Sequence, residues 1–329
     1  MKTLTIQSST ATDVDKFYTK EQVTLEKMRD LNHSHLIKAV VAYRKGDDRC
    51  FVFPWAQEGS LWDFWRNHSA SLDEDLVSWA IGQMVGLSDG LRQLHYSDIL
   101  RANDLGQLRH TGTRHGDIKP DNILCFVSGK KRTLVLADVG LAKYHPDYTR
   151  DRTKATTTRH GSRIYEPPEM STDREKIVVS RKYDVWSLGC VFLEFTIWLL
   201  YGRSGLDLFH SKLLNNSDID RFWEDGTNGK PQIHSVARRW LDKILTKDLK
   251  GHSALRDMVD LIDKWLLVPE VDKRTTTEDL LPKLKAIRSK CSENQQYLFN
   301  PELEKLAKHM SASDVKAKKT MPHPSKEVT

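Results

Sequence analysis

Nine consecutive residues concentrate groups that could do chemistry: Arg114-His115-Gly116-Asp117-Ile118-Lys119-Pro120-Asp121-Asn122. Asp117 is a carboxylate able to accept the proton of a hydroxyl. Lys119, two residues on, can bring an ammonium group to a phosphate. Asn122, five residues after Asp117, can offer its amide oxygen to a magnesium ion. A base, a cation and a metal ligand on one short loop suit phosphoryl transfer. That reaction asks a protein mainly for positioning and for positive charge around the transferred group. The bland alternative is that Asp117 and Asn122 only cap a turn. A second acidic residue, Asp138 of Asp138-Val139-Gly140, follows Asn122 by sixteen positions.

These groups need elements to position them. Phe17, Glu21, Leu25 and Met28 recur at helical spacing, so residues 14–31 read as an amphipathic helix. Ile37–Tyr43 and Cys50–Phe53 read as two strands joined by the turn residues Lys45-Gly46-Asp47-Asp48. Leu72–Tyr96 is one long helix with Leu76, Ile81, Met84, Leu87, Leu91 and Leu94 turned inward. Residues 97–113 are polar and read as an irregular surface insertion. Ile123–Phe126 and Thr133–Leu136 form a second hairpin around Ser128-Gly129. Further helices are expected near 184–200, 235–247, 253–266 and 276–289. From about residue 311 the chain holds lysines, serines and prolines with little to bury, and is expected to be disordered. No internal repeat is visible.

The bulk numbers narrow the class. The chain has 329 residues, 39% hydrophobic and 29% charged, as expected of a soluble globular protein. The net charge of +6 is spread along the chain, so no specific nucleic-acid partner is expected. Cys50, Cys125, Cys190 and Cys291 are far apart and include no Cys-x-x-Cys pair, which points away from zinc sites and disulfides. Reduced thiols suit the cytoplasm or nucleus. Met1-Lys2-Thr3-Leu4 lacks the apolar core of a signal peptide. The most apolar stretch, Leu188–Tyr201, is interrupted by Glu194 and too short to span a bilayer; it reads as a buried core helix.

The loop resembles the catalytic loop of eukaryotic-type protein kinases, in which His-Arg-Asp is followed by four variable residues and Asn. Asp138-Val139-Gly140 resembles the family's Asp-Phe-Gly. Gly161-Ser162-Arg163-Ile164-Tyr165-Glu166-Pro167-Pro168-Glu169 resembles the end of an activation segment. Asp184-Val185-Trp186-Ser187-Leu188-Gly189 resembles the start of the helix beneath the catalytic loop. Arg274 matches the arginine that pairs with Glu169. The resemblance implies an α+β, bilobal protein-kinase-like fold. Its small β-rich N-lobe would be truncated (1–56, ending in the hinge), its C-lobe large and mainly helical (57–295), with a tail at 296–329. It implies ATP and Mg2+, with Asp117 and Lys119 catalytic and Asn122 and Asp138 on metal. Lys2, Glu21, Pro54, Ala56, Ser60 and Leu124 would surround the nucleotide. Phe53 would be the gatekeeper and Pro54-Trp55-Ala56 the hinge, although Phe53 and Trp55 also suit ordinary core packing. A proline in the hinge keeps its carbonyl and lacks only the donor. The partner implied is a protein substrate; oligomeric state is left open.

Several residues refine the resemblance. Lys119-Pro120 looks like Ser/Thr kinases rather than Tyr kinases, as does Ser162. Gly116 replaces the arginine that grips a phosphorylated activation loop. Phosphates on Thr156, Thr157 or Thr158 would lack that partner, so activity is expected to be largely independent of loop phosphorylation. Lys2 lies 19 residues before Glu21, the spacing of the family's Lys–Glu pair, yet a lysine beside the initiator Met also suits a solvated terminus. If Lys2 is that lysine, the Gly-rich loop is missing; the first glycine is Gly46. Two functions stay open on these residues, a Ser/Thr protein kinase and a pseudokinase binding or scaffold module. Small-molecule phosphotransferases share His-Gly-Asp but generally lack the Gly161–Glu169 and Asp184–Gly189 patterns. The phrase Phe53-Pro54-Trp55-Ala56, with the Trp-rich run Leu61–Trp65, resembles fungal kinase-like proteins.

Overall fold

The structure, a computed structural model, describes residues 2–4, 32–45, 48–96, 100–102, 108–110, 114–138, 162–171, 180–215 and 221–309. The helix expected over 14–31, with Glu21, lies outside these residues, as does the stretch beyond 311. β1 (Lys2–Leu4), β2 (Val41–Lys45) and β3 (Asp48–Val52) form an antiparallel sheet in the order β1-β3-β2. The hairpin expected from the sequence is present, since Lys45 pairs with Asp48, but its first strand starts four residues later than Ile37. The apolar run at 36–37 serves another end. Leu36 and Ile37 are 2% and 3% exposed, and the Ile37 N–H donates to the Leu136 carbonyl at 2.9 Å. This run ties the upper part of the chain to the lower.

α1 (Leu61–Asn67) begins at a reciprocal capping box. The Asp63 N–H donates to Ser60 Oγ, and the Ser60 N–H donates to the Asp63 carboxylate. Each such cap is worth about 1 kcal/mol. α2 (Glu74–Tyr96) starts one residue past Asp73, whose carboxylate accepts the Leu76 N–H at 2.8 Å. Leu72 therefore stays outside the helix, and Leu76 is only half-buried, whereas Ile81, Met84, Leu87, Leu91 and Leu94 are buried as expected.

The expected irregular insertion contains β4 (Leu100–Ala102) paired with β5 (Leu108–His110). Three-residue strands are too short to show an alternation in sequence. β6 (Ile123–Ser128) and β7 (Lys131–Leu136) form the second expected hairpin, longer than its apolar stretch suggests. Its tip carries Gly129 at φ 59°, a left-handed conformation that glycine adopts without steric cost.

α3 (Lys182–Asn215) is the central core helix. Residues 183–200 are all buried, which follows from a sequence that is apolar all round. Within Lys182–Leu214 an 18-residue window reaches a mean hydropathy of 1.5, enough by composition for a membrane span, but 89% of that window is buried inside the fold. The helix outlasts the expected 184–200 because it bends at Gly202 (φ 66°) and continues to Asn215.

β8 (Trp223–Asp225) and β9 (Pro231–Ile233) form a small hairpin not anticipated from sequence. α4 (Ser235–Lys243) and α5 (Ala254–Leu261) each continue into a wider π turn, over Ile244–Asp248 and Ile262–Leu266. α6 (Thr277–Glu293) is capped by the Thr276 hydroxyl, and α7 (Gln295–Leu298) and α8 (301–309) follow. Tyr297, Leu298 and Leu303 are buried in the same core, so packing carries on past residue 295. The four cysteines are unpaired thiols, three of them buried.

Candidate active site

The reactive loop is held from below before any chemistry is possible. Asp184, in the first turn of α3, accepts the backbone N–H groups of His115 and Gly116, each at 2.7 Å. Its Oδ2 also meets His95 Nε2 at 2.8 Å, and His95 Nδ1 lies 3.1 Å from Thr277 Oγ1. Asp184 is wholly buried. Burial by itself raises its carboxyl, but the bond and charge of His95, the charge of His115 and the Gly116 N–H together hold it below the usual carboxylate range. The loop turns here through Gly116 at φ 82°, a region L side chains rarely enter. His115 is buried among the carboxylates of Asp184, Asp117 and Asp138. Burial lowers the pKa of its ring against their pull.

His95 was not singled out from the sequence. A signal existed, since it sits four residues after Leu91 on the apolar face of α2, where a polar residue needs a buried partner.

On this support the candidate catalytic groups converge. Lys119 Nζ lies 3.0 Å from Asp117 Oδ2. The Asn122 amide donates to both the backbone carbonyl and Oδ2 of Asp117, each at 2.8 Å. With its N–H groups so used, the amide oxygen is the part of Asn122 left for a cation. Pro120–Asn122 form one 3-10 turn, which fixes the spacing from Lys119 to Asn122. Asp138 arrives from the far end of β7: Leu136 pairs with Ile123, and the Ala137 N–H donates to the Asn122 carbonyl at 2.8 Å. The hairpin thus brings together two residues sixteen apart, and Asp138 has φ 60°, which is uncommon outside glycine. Val139 and Gly140 lie outside the described residues.

The expected nucleotide side is less uniform. Ser60 and Leu124 are bridged through their backbones, and the Cys125 N–H donates to the Gly59 carbonyl at 2.8 Å, so these two residues do meet. The Ser60 hydroxyl, however, is engaged by the α1 cap, donating to Asp63 Oδ2 at 2.8 Å. Glu58 fastens the same stretch to the hairpin. Its carboxylate takes Arg132 Nε at 2.8 Å and 3.0 Å and the Cys125 thiol at 3.3 Å. Phe53 packs partly on the core and Ala56 is half-buried, whereas Pro54 is exposed. Trp55 is 81% exposed, which overturns core packing for that residue. Lys2 lies in β1 opposite Phe51, two residues before Phe53. Its expected partner Glu21 is outside the described residues.

The other expected pair is present. Arg274, 1% exposed, binds Glu169 in bidentate fashion at 2.8 Å and 2.9 Å. It also donates to the carbonyls of Val268 and Lys182, and its guanidinium carbon sits 5.1 Å from the Trp186 ring centroid. Next to it, Tyr165 donates to Glu194, and His210 closes on the same carboxylate at 2.8 Å. Glu194 is fully buried, and burial raises its carboxyl despite both partners. Of Ser162 only the backbone is described, and Thr156–Thr158 fall outside.

Residues 1–321 match the family described as protein kinase domain. The chain is 24% identical over 273 residues to a probable inactive receptor kinase of Arabidopsis thaliana, covering 80% of this chain and 36% of that protein. It is 27% identical over 182 residues to the serine/threonine-protein kinase PKH3 of Eremothecium gossypii, covering 55% of this chain and 22% of that one. It is also 27% identical over 281 residues to the leucine-rich repeat receptor-like protein kinase PEPR1 of Arabidopsis thaliana, covering 83% and 22%. The chain therefore spans at most 36% of the length of these three relatives.

Proposed function

The chain belongs to the protein kinase domain family, and from that premise we propose that it transfers the γ-phosphoryl group of ATP to serine or threonine hydroxyls of protein substrates. The observation that carries this reading is the Asp117–Lys119–Asn122 constellation, interlocked at 2.8–3.0 Å on the buried Asp184 and joined to Asp138 through the Ala137–Asn122 backbone bond. Asp117, aimed by the Asn122 amide and by Lys119, orients the acceptor hydroxyl and takes its proton as the oxygen attacks phosphorus. Lys119 carries a positive charge beside Asp117, where it offsets charge on the transferred group. Asn122 and Asp138 offer one amide and one carboxylate oxygen, a hard donor set that fits magnesium. Magnesium, when bound, would neutralise charge on the phosphates. Lys119-Pro120 and the serine/threonine-protein kinase among its relatives support Ser/Thr specificity.

The test is a phosphorylation assay with Mg-ATP and a generic protein substrate. Asp117→Asn is expected to cut the rate by about 10²–10⁴-fold and to leave the unfolding midpoint nearly unchanged. Phospho-amino-acid analysis that finds only phosphotyrosine sinks the Ser/Thr assignment. The second reading, a binding module with weak or no catalysis, draws on the relative whose name marks it as a probable inactive kinase. Mg-ATP at a hundred times its Kd stabilises a binding-competent chain by about 2.7 kcal/mol. No stabilisation together with no phosphate transfer would favour that second reading.

A further inference from the structure

Cations from four separate parts of the chain gather where the stretch 33–38 lies against α2 and α6. Gly82, Gly86 and Gly90 form one row of α2, and side chains from elsewhere cover it. A Cβ added at Gly82 would stand 4.0 Å from the Arg288 guanidinium carbon, one at Gly86 2.0 Å from His35 Nε2, and one at Gly90 3.0 Å from His33 Nδ1. Beside this row the Asp89 carboxylate is held from three sides. Arg92 Nε and Lys285 Nζ each lie 3.4 Å from it, and His33 Nε2 lies 3.9 Å from it. Lys38 donates only to the neutral side chain of Asn32. Burial holds the rings of His33 and His35 below the usual histidine range. Asp89 pulls His33 back up, and the Leu134 carbonyl does the same for His35. Arg92, Lys285 and Lys38 push His33 further down, and Lys131 and Arg288 push His35 down. Five permanent cations therefore surround the two rings with one carboxylate among them. Among the described residues no other carboxylate bonds any of the five. Lys131, Lys285 and Arg288 are exposed, and Lys38 and Arg92 are half-buried.

We propose that Lys38, Arg92, Lys131, Lys285 and Arg288 form a docking surface for a short acidic segment, rich in Asp and Glu, of a protein partner. Like charges gathered in excess repel one another, and an anionic partner relieves that repulsion. Carboxylates meet ammonium and guanidinium groups in charge-assisted hydrogen bonds, and the excess positive charge steers an acidic chain to the surface. The patch follows α2 from Gly82 to Arg92, about 15 Å of helix, which about five residues of extended chain would cover. Single-stranded nucleic acid asks in addition for open aromatic faces on which bases stack. Here the His33 and His35 rings are turned onto the glycine row instead. The five positions are far apart in sequence except for Lys285 and Arg288, so the fold alone brings them together. The surface includes none of Asp117, Lys119, Asn122 and Asp138, and its readout is binding, so it stands apart from phosphotransfer.

The experiment titrates a fluorescent hexaglutamate peptide with the full chain by anisotropy, against hexaserine at matched ionic strength. Saturable binding of hexaglutamate alone is expected, weakening as salt rises. Lys285→Glu combined with Arg288→Glu is expected to weaken it at least about tenfold. Lys247→Glu combined with Lys250→Glu changes the net charge equally at exposed positions outside the patch and is expected to leave the affinity unchanged. Absence of saturable binding in the wild type overturns the proposal. Unchanged affinity in the 285/288 variant does the same, and so does an equal loss in both double variants, which would mean attraction to the net charge alone. If thermal unfolding shows that the 285/288 variant does not fold, unchanged affinity in Lys131→Glu is the overturning result. Anionic vesicles or a single-stranded RNA that bind more tightly than hexaglutamate, with the same dependence on 285 and 288, would assign the surface to membrane or nucleic acid and overturn the acidic segment.

Discussion

Two polar anchorages hold the parts around the candidate site, and they are built on different chemistry. Beneath the loop, the buried Asp184 carboxylate collects His115 N–H, Gly116 N–H and His95. At the crossing from the upper strands to the lower part of the chain, the fastening is a short strip. The His35 carbonyl accepts the Leu136 N–H at 2.9 Å, Ile37 N–H donates to Leu136, and His35 Nδ1 meets the Leu134 carbonyl at 2.6 Å. The His35 ring lies so close to α2 that a Cβ added at Gly86 would stand 2.0 Å from its Nε2. The floor is an anion satisfied by several donors and stays charged in mild acid. The crossing is a neutral imidazole in a tight slot near His33, Lys131 and Arg288; burial, with the charge of these neighbours, outweighs the Leu134 carbonyl bond and holds its pKa down to about 4. The part that fixes the catalytic loop is therefore insensitive to moderate pH, and the part that ties down the upper strands is not.

The largest expected effect comes from removing the floor. Asp184→Ala leaves two backbone N–H groups and His95 without their acceptor, at an expected cost of about 3–5 kcal/mol, read by denaturant unfolding. A loss below about 1 kcal/mol would mean that the loop holds itself.

Next comes the pH response of the crossing. Unfolded His35 takes up a proton near 6.5 and folded His35 only near about 4, so acid favours the unfolded chain. Its contribution is complete above pH 6.5 and is lost as pH falls towards 4, at most about 3 kcal/mol. The Asp184 contribution is lost later in acid: a depressed carboxyl keeps its stabilisation until the pH falls below the ordinary aspartate value of 3.8. Hydrogen exchange between pH 6.5 and 4 is expected to show the strands near 36–52 losing protection while residues 115–122 keep it. His35→Gln should flatten that response relative to the wild type, and an unchanged profile would exclude His35 as the source.

The smallest effect is expected at Gly116. Gly116→Ala forces a side chain into φ 82° and should cost about 1–2 kcal/mol. No loss in thermal unfolding would mean that the loop can relax away from Asp184.

The chain's own pattern was enough to place Asp117, Lys119 and Asn122 on one loop, the β6/β7 hairpin beyond it and a buried central helix. These are short-range spacings or long apolar runs, and such features survive almost any packing. The Glu169–Arg274 pair, 105 residues apart, was legible only through the family resemblance. Strand and helix limits at Ile37, Leu72 and residue 200 shifted because burial against distant elements, a side-chain cap and a glycine bend outweighed local periodicity. The hairpins at Leu100–His110 and Trp223–Ile233 are too short to register as a pattern.

The tertiary structure alone decided how the loop is supported and charged. Asp184 lies 69 residues from His115 and 89 from His95, and no spacing rule links them. The capped Ser60 hydroxyl and exposed Trp55 likewise emerged only in three dimensions. Residue type and spacing determine which groups can do chemistry. Which of them are desolvated, satisfied or left with an empty partner depends on contacts between segments far apart in the chain.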